Sequence, residues 1–388
     1  MSIHGPDREH AKPGADGAER AALAASPGRS RRARSLACRG LRLVANANLG
    51  KIAIIVLSLV LFILSLQLIK AGAASAGPLV RDTFSVTHPL NALGFGWLLA
   101  YAALSGSPVA AIALVLLSEN AISDAESFMM IGGSRLGSGM VVLLLGFYYV
   151  LRGSDRQSSL SVGLLSLTVS ATVQVPALAL GYVALRAGAL SDIQFSFRII
   201  DLLDQLYEPV VTALADRLPD LAVMGIGIIL IVVTFNLFDR GLPEVELGER
   251  GFGETPVLIY RPSIMFMLGV IVTLLTLSVT VSVGILVPLT ARGLIRRENL
   301  IPYIMGSNVS TLIDTLLVAV LLDSLEGFTV VLIGMIAITI VSMLTLLFIL
   351  QPYERAVVEL VNWSLVSGRN LAIVLAVLFL VPIVLVLL

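Results

Sequence analysis

Seven apolar runs, each near the roughly 20 residues a helix needs to cross a bilayer, decide what this chain can fold into. They are Ile52 to Ile69, Phe128 to Val150, Leu160 to Leu185, Leu221 to Phe238, Leu300 to Leu322, Phe328 to Leu350 and Leu371 to Leu388. In hydrocarbon every backbone N–H and C=O must be satisfied within the segment, so runs of this length read as helices. Composition agrees: 57% of residues are hydrophobic, 13% are charged, and mean hydropathy is +0.95, far from the mixture of a soluble domain. The fold class is therefore an all-α integral membrane protein.

A formal net charge of zero conceals an asymmetry. Residues 1–51 carry ten Lys or Arg, Arg29, Arg31, Arg32, Arg34, Arg39 and Arg42 among them, against four acids. This tail, rich in Gly, Ala, Ser and Arg, has no apolar periodicity and reads as disordered. Arg31-Arg32 is no export signal, because the following residues add charge where such a signal needs an apolar run. A basic juxtamembrane segment instead holds the N-terminus in the cytoplasm, and the expected location is the plasma membrane of a bacterium or archaeon. Cys38, the single cysteine, excludes an intrachain disulfide; His4, His10 and His88 are scattered. With no Ser/His/Asp set, metal cluster or nucleotide loop, the chain is read as neither an enzyme nor a nucleic-acid binder, and no cofactor is expected.

Two further apolar segments are interrupted. Leu90 to Leu104 meets SGSP and resumes at Val109 to Leu117; Ile264 to Leu277 meets SVT and resumes at Val281 to Leu289. Arms so short suit re-entrant helical hairpins. At a fixed offset of 173 positions, Leu104, Ser105, Ile112, Leu116, Ile122, Ile131, Gly133 and Ser134 match Leu277, Ser278, Ile285, Leu289, Ile295, Ile304, Gly306 and Ser307. QLIKAG (67–72) likewise resembles NLFDRG (236–241). The chain reads as a duplication, with a tail at 1–48, repeat one at 49–190, an amphipathic surface connector at 191–219, repeat two at 220–351, and a connector with a last span at 352–388.

Each repeat holds three spans plus a hairpin, and a hairpin adds an even number of crossings, so repeat two starts on the side opposite to repeat one. Charge agrees: SENAISDAE after the first hairpin is acidic, whereas its counterpart TARGLIRRE carries Arg292, Arg296 and Arg297. The expectation is two inverted-topology repeats, each with a re-entrant hairpin and broken helices, the architecture of secondary transporters.

Polar residues at membrane depth mark the site. At SGSP, Ser107 is expected as an N-cap and Pro108 as the first helical residue, so the positive end of a half-helix faces the interior, where an anion satisfies it. Ser105 stands beside it, and Ser278, Thr280 and Ser282 occupy the corresponding break. The run IMGSNVSTLIDTL offers Ser307, Asn308, Ser310, Thr311 and Asp314, with Ser134 matching Ser307; such oxygen ligands suit an alkali cation. Arg135 stands where repeat two has Asn308. A lone Arg at this depth needs a partner, either Asp314, the other isolated charge, or a bound anion. Gly133 and Gly137 read as close helix packing.

GLIRRENLIPYIMGSNVSTLIDTLLVA (293–319), and more weakly GSRLGS (133–138), are similar to motifs of the sodium-dependent phosphate cotransporters of the type II class and their bacterial relatives. That family's Gln-Ser-Ser-Ser motifs fall on Leu277, Ser278, Val279 and Thr280, and on Leu104, Ser105, Gly106 and Ser107; both glutamines are missing. The resemblance implies sodium-coupled uptake of phosphate or a similar oxyanion by alternating access. Ser105, Ser107, Arg135, Ser278, Thr280 and Asn308 are then expected on the substrate, and Ser134, Ser307, Ser310, Thr311 and Asp314 on the cation. Two alternatives stay open: the same fold moving another anion, and a non-transporting membrane scaffold.

Overall fold

A computed structural model describes residues 49–73, 88–153, 155–190, 200–241, 261–291 and 295–388. The basic tail expected at 1–48 lies outside them, as do residues 191–199 of the connector. The chain divides into a short N-terminal unit, Met1–Ile52, described only where its first helix begins, and a second unit, Ala53–Leu388, which contains everything discussed below.

All regular structure among the described residues is helical. In order the helices are α1 Leu49–Ala73, α2 Pro89–Ala103, α3 Ser107–Ser118, α4 Asp124–Leu151, α5 Arg156–Arg186, α6 Ile200–Ala215, α7 Asp220–Gly241 and α8 Pro262–Thr276. There follow α9 Val279–Gly284, α10 Leu286–Ala291, α11 Arg297–Ser310, α12 Leu312–Leu321, α13 Leu325–Leu344, α14 Leu350–Val366 and α15 Gly368–Leu387. Among the described residues seven helical stretches are long and apolar enough to cross a membrane, and each contains most of one of the seven runs seen in the sequence.

Both interruptions exist, and the residues explain them. Pro89 and Pro262 each open an arm at the first helical position, where a missing N–H costs nothing. Each arm ends on a leucine in the left-handed region, Leu104 at φ 50° and Leu277 at φ 48°. That conformation costs a non-glycine residue about 1–2 kcal/mol, so packing must hold it in place. Pro262 follows Pro89 by 173 positions, and Thr276 follows Ala103 by the same 173. The second returning arm is itself divided: Pro288 has no N–H for the Gly284 carbonyl, and α9 stops there.

Glycines set how each arm meets the next long helix. A Cβ on Gly96 would strike the Met130 carbonyl oxygen, and one on Gly133 that of Leu93. In the second half a Cβ on Gly269 would strike Tyr303, and one on Gly306 would strike Phe266, again at carbonyl oxygens. Backbones this close gain dispersion contacts, which drive helix association where hydrocarbon surrounds both surfaces. Gly137, with Ala100 Cβ and Trp97 O both 2.7 Å from its notional Cβ, extends the same seam.

Long-range contacts give the order of helix ends. Asn91, near the start of α2, donates through Nδ2 to Leu385 O at 3.1 Å, so the C-terminal end of α15 lies beside the start of α2. Arg297, opening α11, donates to Gln157 O at 3.2 Å and to Asn362 Oδ1 at 3.0 Å, joining the starts of α11 and α5 to the end of α14. Hydrogen bonds from Ser158 to the Asp155 carboxylate, with the Arg297 charge nearby, hold that carboxyl below the usual carboxylate range.

Both segments read as connectors contain helix. The connector placed after residue 352 is largely helix: α13 runs through a π-helical turn, Thr345–Ile349, into α14. The stretch Leu325–Val366 spans 42 residues, about 63 Å of helix against a hydrocarbon core of about 30 Å. α14 accordingly turns polar, burying Val357 and Val361 while Glu354 is half-buried and Glu359 exposed. Within the surface connector, α6 begins at Ile200, and its Tyr207 hydroxyl donates to Val60 O at 3.2 Å, which ties it to α1. Burial pushes the Tyr207 phenol above its ordinary pKa.

Candidate functional site

Arg135 meets Asp314. The helix α4 carries Arg135 inward from a capping box at Ser123 and Glu126, and α12 carries Asp314 in its first turn. Nη2 donates to Asp314 Oδ1 at 2.9 Å, and the two side chains are 7% and 6% exposed. Nη2 also bonds Thr315 Oγ1, while Nη1 donates to Thr311 Oγ1 at 3.1 Å and to Ser107 Oγ at 3.4 Å. One guanidinium thus ties α4 to the tip of the first interrupted segment and to the turn between α11 and α12.

Ser107 does this from a position other than the one expected. Gly106 is the N-cap of α3, no side chain caps that helix, and Ser107 is its first residue. Because Gly106 already has helical backbone angles, the Ser107 hydroxyl is left free to accept from Arg135. In the second segment the cap forms: Ser278 Oγ accepts from Val281 N at 3.3 Å.

The remaining polar residues fall into separate groups. Asn308 pairs with Ser170 on α5, its Nδ2 donating to Ser170 Oγ at 3.1 Å. Ser307 joins a hydroxyl cluster around Ser282 Oγ, which accepts from Thr273 at 2.7 Å and lies 2.9 Å from Tyr303 Oη and 3.4 Å from Ser307 Oγ. Ser134 donates to Ile131 O at 2.7 Å and Ser310 to Gly306 O at 3.3 Å, both bonding back to their own helices. Ser105 is half-buried at the first break, its N–H donating to Ala100 O at 3.2 Å, and Thr280 is half-buried in the first turn of α9. Of the residues expected together, Ser107, Arg135, Thr311 and Asp314 do meet; Asn308, Ser307 and Ser278 each bond elsewhere.

Sequence reasoning missed Thr315, Ser170 and Tyr303. Thr315 directly follows Asp314, and Ser170 is a polar residue inside an apolar run, so both carried a signal; which hydroxyl pairs with which depends on helix packing.

The pair is buried beside apolar walls. A cavity of about 60 Å³, lined by Phe62, Phe235, Phe238, Leu277 and Leu317 among others, reaches Asp314 from the side of α1 and α7. Apolar walls weaken screening and strengthen the attraction, and for the same reason they penalise either charge left alone. Hydrogen bonding is incomplete: Arg135 Nε and Asp314 Oδ2 are buried without a partner among the described residues. In chemical terms the site offers a planar cationic fork, three hydroxyls and a half-satisfied carboxylate. Such a set suits holding ions.

Comparison of the chain with protein-family profiles, with curated proteins and with solved structures finds no match in any of the three.

Proposed function

We propose that the protein is a secondary active transporter that couples uptake of a small oxyanion, phosphate first, to sodium by alternating access. The observation carrying this reading is the Arg135–Asp314 pair, buried at the first helix break and bridging the two halves of the sequence. A guanidinium so placed matches the geometry of a phosphate or similar oxyanion, and the carboxylate opposite matches a cation.

Inverted repeats with re-entrant hairpins belong to the same proposal. Three findings support them: equal bounds of α2 and α8 at a 173-residue offset, left-handed leucines at both breaks, and reciprocal glycine contacts at matching positions. Contacts of Asn91 with Leu385 and of Arg297 with Gln157 agree with the start of the first hairpin and the end of α15 on one side and the end of the second hairpin on the other. By charge, the Arg297 side is cytoplasmic. In a Cys38→Ser background, cysteines at Asp124 and Arg296 are expected to react with an impermeant thiol reagent from opposite faces of oriented vesicles. Reaction from one common face would refute inversion.

Transport itself is tested by radiolabelled phosphate uptake into proteoliposomes. Uptake above empty liposomes, several-fold faster with an inward sodium gradient, is expected; equal rates for protein-containing and empty vesicles would reject the reading. A second reading, a membrane scaffold, draws on the hydrogen bonds that Asn308, Ser134 and Ser310 already make within the chain. In that case uptake is absent while the fold is unaffected.

A further inference from the structure

We propose that the Arg135–Asp314 pair is itself the coupling element: an oxyanion takes the guanidinium only when an alkali cation takes the Asp314 carboxylate. This rests on the transport reading and adds an obligatory link between its two ligands.

Displacement comes first in the argument. Both terminal nitrogens of Arg135 are engaged by Ser107, Thr311, Asp314 and Thr315, leaving Nε as the donor without a partner. An oxyanion therefore gains the fork by taking the place of Asp314 Oδ1. Arriving alone, it would strip the carboxylate of its counter-ion at a site more than nine-tenths buried. A cation arriving alone would strip the guanidinium in the same way. Either half-step leaves a bare charge in a medium that solvates it poorly, whereas joint arrival gives each charge a counter-ion; a monoanion such as dihydrogen phosphate balances one cation, and a dianion such as sulfate requires a second.

Oxygen ligands for the cation are already assembled. Asp314 Oδ2 is buried and has no partner among the described residues, Thr315 Oγ1 lies 2.9 Å from Asp314 Oδ1, and Thr311 Oγ1 stands near on the preceding turn. Ser134 and Ser310, bonded to their own carbonyls, drop out of the set. Arg135 on α4 is the charged group bonded to Asp314, and a cation that takes the carboxylate stands in for that charge. Several hard oxygens favour sodium, since a proton would need only one.

Linkage makes the proposal measurable. Coupling between sites commonly amounts to 5–150-fold in affinity, and it is reciprocal. Phosphate and sulfate binding to the purified full chain in nanodiscs is titrated calorimetrically in sodium and in choline, each at pH 6 and pH 8. The expected result is at least about tenfold tighter oxyanion binding in sodium, with sodium binding tightened by the same factor when the anion is present. Asp314→Asn should bind the oxyanion with no sodium dependence. Sodium dependence surviving in Asp314→Asn would overturn the coupling role while leaving transport intact. Oxyanion binding by the native chain that ignores sodium, or that responds to pH alone, would overturn it without any variant. Failure of the native chain to bind either oxyanion in all four conditions would instead reject the transport reading beneath it.

Discussion

Arg135→Gln is expected to lower the stability of the folded chain by about 3–5 kcal/mol, because it leaves the Asp314 carboxylate buried and unpaired. Asp314→Asn, which strands the guanidinium, should cost a similar amount. The double variant Arg135→Gln, Asp314→Asn leaves no buried charge, and much of the loss should return, since a buried pair is worth little net of its desolvation. Thermal unfolding in detergent separates the cases. Function should follow a different order: the double variant regains folded yield and still takes up no phosphate, because the fork is gone. Restored uptake in the double variant would make the pair purely structural.

The four glycines at the arm contacts should be nearly as sensitive. Gly96→Ala, Gly133→Ala, Gly269→Ala and Gly306→Ala each place a Cβ against a carbonyl oxygen of the neighbouring helix, an atom that cannot rotate away. A cost of about 1–3 kcal/mol apiece is expected from overpacking. Gly225→Ala on α7, where nothing lies within 4 Å of the new Cβ, provides the control. There the ordinary helix preference for Ala over Gly should show, a gain of up to about 1 kcal/mol. Matching losses at Gly133 and Gly306 would also mean that the two halves use their seams alike. A loss confined to one half would weaken the argument from duplication.

What the sequence disclosed, and what it withheld, follows from the range of the interactions. Span number and placement depend on local hydrophobicity, so the seven runs and both interruptions could be read directly. Arg135 and Asp314 were isolated charges in apolar runs, and a charge at that depth has few partners to choose from. Local geometry was less accessible: capping at Ser107 turned on the backbone angles of Gly106, which composition does not encode. The same holds for the helix past residue 352, where α14 gains its stability by burying Val357 and Val361. Lateral pairings such as Asn308 with Ser170 and Ser282 with Tyr303 were beyond reach, because they depend on which helices adjoin. Hydroxyl clustering signalled that these positions matter without saying that several would bond to one another.

Whether the buried pair opens to water on both sides is the question on which the transporter account rests. In a Cys38→Ser background, Ser107→Cys puts a thiol at the tip of the first interrupted segment, where the native hydroxyl meets Arg135. An impermeant thiol reagent is applied to either face of oriented proteoliposomes, with and without phosphate plus sodium. Alternating access predicts labelling from both faces and slower labelling when both ligands are present. A thiol that stays unreactive from both faces in every condition, in a variant that folds normally, would contradict it and leave Arg135 and Asp314 as a sealed structural pair.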